Sequence, residues 1–147
     1  MLRSVLAVIV AYIVMFILAV AEFMTIYTLV GPDWSFKPAS YQASTRWTVM
    51  QFAVTLVTGA IAGLICAVIA KGGKAPLALA AVVLALGFVF GILGTALRPA
   101  DTHEVRTGNV SNMEAMSKAR HPVWVVFLGP VIAAVGVVIG GKLRRRT

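Results

Sequence analysis

Residues 5–30 read VLAVIVAYIVMFILAVAEFMTIYTLV, an apolar stretch long enough to cross a lipid bilayer. An α-helix rises about 1.5 Å per residue and the hydrocarbon core of a bilayer is about 30 Å thick, so about 20 apolar residues suffice. Glu22 is the one charged residue in the stretch. The segment therefore predicts a membrane-spanning helix that carries a single acidic side chain.

Three further apolar stretches, residues 47–70, 75–97 and 123–141, contain no charged residue. The whole chain is 60% hydrophobic with a mean hydropathy of +0.93, well above the range of soluble domains. Lipid satisfies no backbone hydrogen bonds, so a spanning segment is a helix or a strand of a closed barrel. The hydrophobicity is continuous and does not alternate, which favours helices. We therefore expect one domain, an all-α integral membrane protein built as a bundle of four transmembrane helices.

The first stretch has an alternative interpretation as a cleaved secretory signal. Arg3 precedes it, and Ala19-Val20-Ala21 has the small residues of a cleavage site. The apolar run continues to Val30, however, which is longer than the apolar core of a signal sequence. We interpret the segment as a retained first helix.

The distribution of basic residues predicts how the chain lies in the membrane. Arg3, the turn 71–74 and a C-terminal basic cluster fall on one side, next to helix ends and without an acidic residue. The opposite side mixes six Lys and Arg residues with four Asp and Glu residues. By the positive-inside rule we expect both termini in the cytoplasm and the loops 31–46 and 98–122 outside. Such compact loops are typical of a protein of the bacterial cytoplasmic membrane.

The C-terminal basic cluster consists of Lys142, Arg144, Arg145 and Arg146. Basic residues that follow a membrane helix attract anionic lipid headgroups, each contributing about 1 kcal/mol near the surface. We interpret the cluster as a lipid-headgroup contact, and docking of an acidic partner is the alternative. We attribute the net charge of +8 mainly to basic residues that set the orientation and attract anionic lipid headgroups. We therefore expect no nucleic-acid partner.

Small residues recur at helical spacing in three of the four stretches. They form the pairs Gly59 with Gly63, Gly87 with Gly91, and Gly136 with Gly140, and the stripes extend to Gly94 and Gly129. Small residues let helix backbones approach closely in lipid, where packing rather than hydrophobicity drives association. We expect the stripes to pack helices of one chain together. Contacts between the subunits of a homo-oligomer are the alternative.

Glu22 requires a partner, because an ionised and unpaired carboxylate inside a membrane costs several kcal/mol. At matching depth lies the polar face of the second stretch, and Arg98 follows the third. The predicted intramembrane cluster comprises Glu22, Gln51, Thr55, Thr58 and Arg98. One interpretation is a hydrogen-bonded clasp that fixes helix register. The other is a proton, cation or small-ligand site.

Residues 17–26, ILAVAEFMTI, resemble the first helix of the small multidrug resistance transporters. Those proteins are also short chains with four spans, and a membrane-embedded glutamate in their first helix binds protons and cationic drugs. The resemblance covers about ten residues and implies a similar role for Glu22. This chain departs from the family in its longer outer loops and in its basic inner ends.

The second outer loop contains a helix signal. Ser111-Asn-Met-Glu114 fits the capping box in which a serine and a glutamate satisfy the first backbone N–H groups of a helix. The signal predicts a short helix over residues 112–120, with apolar residues on one face and charged residues on the other. We expect this amphipathic helix to lie on the outer membrane surface.

Residues that carry catalysis or bind metals are sparse. His103 and His121 lie in a loop without the fixed spacing of a metal site, and neither is placed to ligate haem inside the bundle. Cys66 stands alone in an apolar helix, with no neighbouring base to activate it. We therefore expect no metal, no cofactor and no enzymatic activity.

The favoured function is that of a small accessory or interaction subunit of a membrane assembly, either self-associating or attached to a larger complex. The small size and the smooth packing stripes motivate this hypothesis. A small transporter or channel that uses Glu22 is the alternative.

The predicted orientation is testable by thiol labelling from outside the membrane. We expect a membrane-impermeant reagent to modify Asp33→Cys and Asp101→Cys but not Lys74→Cys, because only the first two positions fall in outer loops. Labelling of position 74 from outside would overturn the orientation.

Overall fold

The computed structural model describes residues 2–71, 73–97 and 110–144. Over these residues the secondary structure is helical, without a β-strand: α1 (Leu2–Val30), α2 (Pro32–Ser35), α3 (Thr45–Ile69), α4 (Ala75–Ala96), α5 (Asn112–Lys118) and α6 (Val123–Leu143). Helices α1, α3, α4 and α6 are long and apolar enough to span a membrane. The prediction of an all-helical chain with four candidate spans is confirmed.

Local sequence signals explain where the long helices begin. The side chain of Ser44 accepts a hydrogen bond from the backbone N–H of Trp47 at 3.1 Å, which caps α3. Helix α4 has Pro76 in its first turn, where a missing N–H costs nothing. Between α3 and α4 the chain reverses through Lys71 and Gly73, both of which have positive φ angles. The resulting bounds differ from the predicted ones by three residues or fewer.

The four long helices alternate in direction along the chain. One end of the molecule carries the turn between α3 and α4, and the other end carries α2 and α5. We call these the turn end and the cap end. Helix α6 packs most extensively against α3 and then against α4, while α1 packs mainly against α3 and less extensively against α4.

Helices α3 and α6 run parallel with their backbones in direct contact. A Cβ atom added at Gly59 would overlap the carbonyl of Ala133, and one added at Gly63 would overlap the carbonyl of Val137. The contact is reciprocal, because Gly136 and Gly140 approach the backbone of α3 in the same way. These four glycines therefore permit a separation that no larger residue allows.

Side chains rather than backbone mediate the contact between α4 and α6. A Cβ atom at Gly87 would meet the ring of Pro130, and one at Gly91 would lie 3.2 Å from atoms of Phe127 and Val126. Two predictions about these stripes were wrong. Within the described part of the chain, neither Gly94 nor Gly129 has a heavy atom within 4 Å of its added Cβ position, so neither packs against one of the described helices. Helical periodicity places them on the stripe, but the helices do not maintain contact over that length.

Buried residues of all four long helices form a core that lies nearer the turn end. Helix α1 contributes the fully buried Ala7 and Ala11, and Leu79 and Val137 are also fully buried. Ala19 lies about two turns beyond Ala11, rotated towards the edge of this face, and is exposed. Helix α1 therefore fits tightly against its neighbours near the turn end and leaves open space beside it further along, around Ala19.

The backbone contact predicts different costs for three glycine substitutions. Gly63→Ala forces a methyl group against a carbonyl group, and we expect it to lower the free energy of unfolding in detergent micelles by about 1–3 kcal/mol. Gly91→Ala meets movable side chains and costs less. Gly94→Ala is the control and changes stability by about 0.5 kcal/mol or less, because its surroundings are open. Equal losses at positions 63 and 94 would contradict the described packing.

Candidate binding cleft

Glu22 points from α1 towards α3 and contacts Thr58. Both carboxylate oxygens lie 2.6 Å from the Thr58 hydroxyl oxygen, and Thr58 is buried. Threonines in helices often donate to the carbonyl four residues earlier, as Thr28 and Thr95 do here. Thr58 instead donates across the helix pair. Because one hydroxyl has one hydrogen, most of the acceptor capacity of the carboxylate stays open.

A second acceptor lies in the same region. The side-chain oxygen of Gln51 is buried, and no donor within the described residues reaches it. Gln51 is on α3, seven residues before Thr58, so the two side chains lie on one face of that helix about two turns apart. The cleft therefore holds a carboxylate and an amide oxygen whose hydrogen-bonding capacity is largely unused.

These groups line a cavity of about 180 Å³ between α1 and α3. Its walls combine a few polar groups with aromatic, aliphatic and methionine side chains. The lining residues are Met15, Ala19, Glu22, Phe23 and Ile26 of α1, Trp47, Met50, Gln51, Val54, Thr55 and Thr58 of α3, and Ala133 of α6. Concave and mainly apolar surroundings with a few convergent polar groups are typical of small-molecule sites.

A cluster of mainly large apolar side chains, which we call the aromatic cap, packs at the cap end of the cavity. Its buried members are Tyr27, Phe36, Tyr41, Ala43, Trp47 and Val110. Phe23 and Trp47 belong to the cavity wall and also pack in this cluster, with their rings edge to face and their centroids 5.4 Å apart. The aromatic cap thus packs directly against the end of the cleft, because Phe23 and Trp47 belong to both.

Backbone pairing holds the two loops of the cap together. The N–H of Ala43 donates to the carbonyl of Arg120 at 2.9 Å, and the N–H of Arg120 donates to the carbonyl of Tyr41 at 2.9 Å. This pairing explains why α5 ends at Lys118 and not at residue 120 as predicted. The backbone of Arg120 is engaged with the first loop and is unavailable to a helix.

A charged group strengthens this pairing. The hydroxyl of Tyr41 donates to Glu114 at 2.8 Å, and the ammonium group of Lys118 lies 3.2 Å from the same carboxylate oxygen. The hydrogen bond from Tyr41, followed by the contact with Lys118, lowers the pKa of Glu114 below its ordinary value of 4.5. The ionised form of Glu114 therefore stabilises the cap.

The structure brings together four of the five residues predicted for the intramembrane cluster: Glu22, Gln51, Thr55 and Thr58. Arg98 lies outside the described residues, as do Arg145 and Arg146 of the C-terminal basic cluster. Lys142 is exposed, whereas Arg144 donates a hydrogen bond to the carbonyl of Ala67 at the end of α3.

Sequence reasoning missed the apolar part of the site. Phe23, Trp47 and Met50 form walls of the cleft, yet in the sequence they are ordinary apolar residues of membrane helices. Their positions in the sequence could have indicated two of these walls. Phe23 directly follows Glu22, and Trp47 lies one helical turn before Gln51, so both are close to predicted site residues.

Comparison of the chain with protein-family models, with characterised proteins and with solved structures finds no match. The geometry of the cleft and of the aromatic cap is accordingly the basis for the functional argument.

The lowered pKa of Glu114 predicts a specific pH dependence. Its contribution to stability is complete above the ordinary value of 4.5 and is lost as the pH falls through the lower pKa of the folded protein. We expect the fall in melting temperature between pH 6 and pH 3 to be smaller in Glu114→Gln than in the unmodified protein. Tyr41→Phe, which removes the largest cause of the shift, changes the pH dependence in the same direction. Identical pH profiles for all three proteins would contradict this role of Glu114.

Proposed function

We propose that this protein is a non-enzymatic integral membrane protein that binds a small cation, either a proton or an organic ammonium ion, at Glu22. Transport of that cation is the function the cleft supports best. The observation that carries the proposal is the surplus of hydrogen-bond acceptors in an apolar cleft. Glu22 accepts the single hydroxyl hydrogen of Thr58, and no donor among the described residues reaches the side-chain oxygen of Gln51.

The chemistry of these acceptors selects the ligand. A carboxylate in apolar surroundings is stabilised by a cation or by protonation, and an unpaired amide oxygen is stabilised by a donor. An ammonium ion supplies a positive charge and several donors, and the aromatic rings of Trp47 and Phe23 in the cavity wall are further favourable neighbours for a cation. A proton and an ammonium ion compete for the negative charge of the Glu22 carboxylate, so binding of one favours release of the other.

The placement in the membrane is part of the proposal. The four long helices form a transmembrane bundle in the bacterial cytoplasmic membrane, with both termini in the cytoplasm and the aromatic cap outside. Helix α5 lies at the outer interface with Met113 exposed towards lipid. Lys142 and Arg144 at the turn end, followed in the sequence by Arg145 and Arg146, supply the positive charge that attracts anionic headgroups.

A second candidate is an accessory subunit, either in a homo-oligomer or in a larger membrane complex. It is supported by the open face of α1. In the most apolar 18-residue segment of α1, 11% of the residues are buried, whereas the corresponding share is 33% in α3 and in α6. Ile13, Phe16 and Ile17 are exposed on this helix. A helix of another subunit fits beside such a surface, although lipid covers it equally well.

Substitution of the carboxylate distinguishes the two functions. Glu22→Gln preserves size and hydrogen bonding but removes the negative charge, so we expect the fold to persist and the affinity for small ammonium ions to fall at least tenfold. The measurement is equilibrium binding of 4-bromophenethylamine to protein in phosphatidylcholine vesicles at neutral pH.

The matched control is Glu114→Gln, which removes a carboxylate from the cap at a residue that does not line the cavity. Its affinity is expected to equal that of the unmodified protein. If Glu22→Gln binds the amine as tightly as the unmodified protein, Glu22 is a structural clasp and the accessory role becomes the better interpretation.

A further inference from the structure

The cleft is open at a depth that corresponds to the bilayer interior. Building on the proposed cation site at Glu22, we propose that its ligand is a small lipophilic amine, and that this ligand enters sideways from the bilayer through an opening beside Ala19. Three observations carry the proposal: the exposure pattern along α1, the closure of the cap end, and the size and chemistry of the cavity.

The exposure pattern locates the opening. On α1, Ala7 and Ala11 of the core have no exposed surface, whereas Ala19, which lines the cavity, is exposed. Ala19 lies 11 residues before the end of α1 at Val30, which corresponds to about 16 Å along the helix axis. In a hydrocarbon core of about 30 Å this is close to the middle.

The direct route from the cap end is obstructed. From Glu22 towards that end, the cavity wall continues through Phe23, Ile26 and Trp47, all of which also pack in the aromatic cap. Trp47 is 4% exposed and Tyr27 above it is 3% exposed. Tyr27 is itself fixed by a hydrogen bond to the carbonyl of Val110 at 2.9 Å. A ligand arriving from the cap end would have to displace these rings.

The turn end is closed as well. Met15 at the inner side of the cavity packs against the core that contains Ala11, Ala133 and Val137. Ala133 is also the floor of the cavity on α6. The side opening at Ala19 therefore connects the cavity to the surroundings without a rearrangement of the core or of the cap.

Entry from lipid restricts the ligand. A molecule reaching the opening must first partition into the bilayer, which favours an apolar body, and must then offer a cation and donors to Glu22 and Gln51. The volume of about 180 Å³ is below the 300–1,000 Å³ typical of sites for drug-sized molecules. A small amine with one aromatic ring or a short alkyl chain meets these conditions, and a bulky multi-ring cation does not.

The experiment measures the rate of entry with Trp47 as the reporter. Trp34→Phe and Trp124→Phe leave Trp47 as the single tryptophan, and the bromine of 4-bromophenethylamine quenches its fluorescence on contact. Protein in phosphatidylcholine vesicles is mixed with this amine, and the amplitude and rate of quenching are recorded. The same background carrying Glu22→Gln gives the quenching due to amine that is merely dissolved in the bilayer.

Ala19→Phe narrows the opening, and we expect it to slow the Glu22-dependent quenching at least tenfold. Ala21→Phe is the matched control, because Ala21 is exposed on the same helix and does not line the cavity. Its rate is expected to stay within twofold of the background protein. The double variant Tyr41→Phe with Glu114→Gln, which loosens the aromatic cap, is expected to leave the rate unchanged as well.

The outcomes separate the entry route from the proposed function. If quenching depends on Glu22 but its rate is unaffected by Ala19→Phe, or is raised by the loosened cap, entry from the bilayer is wrong and the cation site stands. If the background protein and its Glu22→Gln variant show the same quenching, the proposed cation site at Glu22 is wrong, and the proposed entry route is wrong with it.

Discussion

Direct backbone contact between α3 and α6 determines the positions of the other long helices. The contact is made by glycines on both helices, and it leaves no space for a side chain between them. With α6 fixed in this way, α4 packs against an adjacent face of α6 through Pro130 and Phe127. Helix α1 then has the remaining surface of α3 as its main neighbour. Dispersion contacts at short distance provide this association, since lipid offers no hydrophobic driving force.

The cleft follows from how α1 is attached to this arrangement. Near the turn end small side chains at Ala7 and Ala11 bring α1 close to its neighbours. Near the cap end Tyr27 and Phe23 bind it to the aromatic cap. Between these two attachments the gap is bridged by Glu22 and Thr58, and no large side chain fills it. The cleft is thus the space between the turn-end contact of α1 and its contact with the aromatic cap. The hydrogen bond between Thr58 and Glu22 inside the cleft also helps to hold α1 against α3.

Much of the fold could be predicted from the sequence because it depends on properties of single helices. Length and hydrophobicity identify the four candidate spans, and the cost of an unpaired carboxylate directs Glu22 towards the polar face of α3. Gly94 and Gly129 show the limit of this reasoning, because periodicity gives the face of a helix but not the length over which two helices stay in contact. The aromatic cap could not be predicted. Tyr41 and Glu114 are 73 residues apart, and nothing near either residue indicates the pairing.

The parallel arrangement of α3 and α6 has an electrostatic consequence at the turn end. Both helices end there side by side, so their unsatisfied terminal carbonyl groups and the negative ends of their dipoles are concentrated in one place. The dipoles of these two parallel helices add, and the antiparallel α4, which begins at the same end beside α6, offsets part of their field. Arg144 donates to the carbonyl of Ala67, and Lys71 and Lys142 lie within the last turns of the same pair of helices or directly after them. The basic residues from which the positive-inside rule predicts the orientation thus also offset the negative dipole ends of α3 and α6.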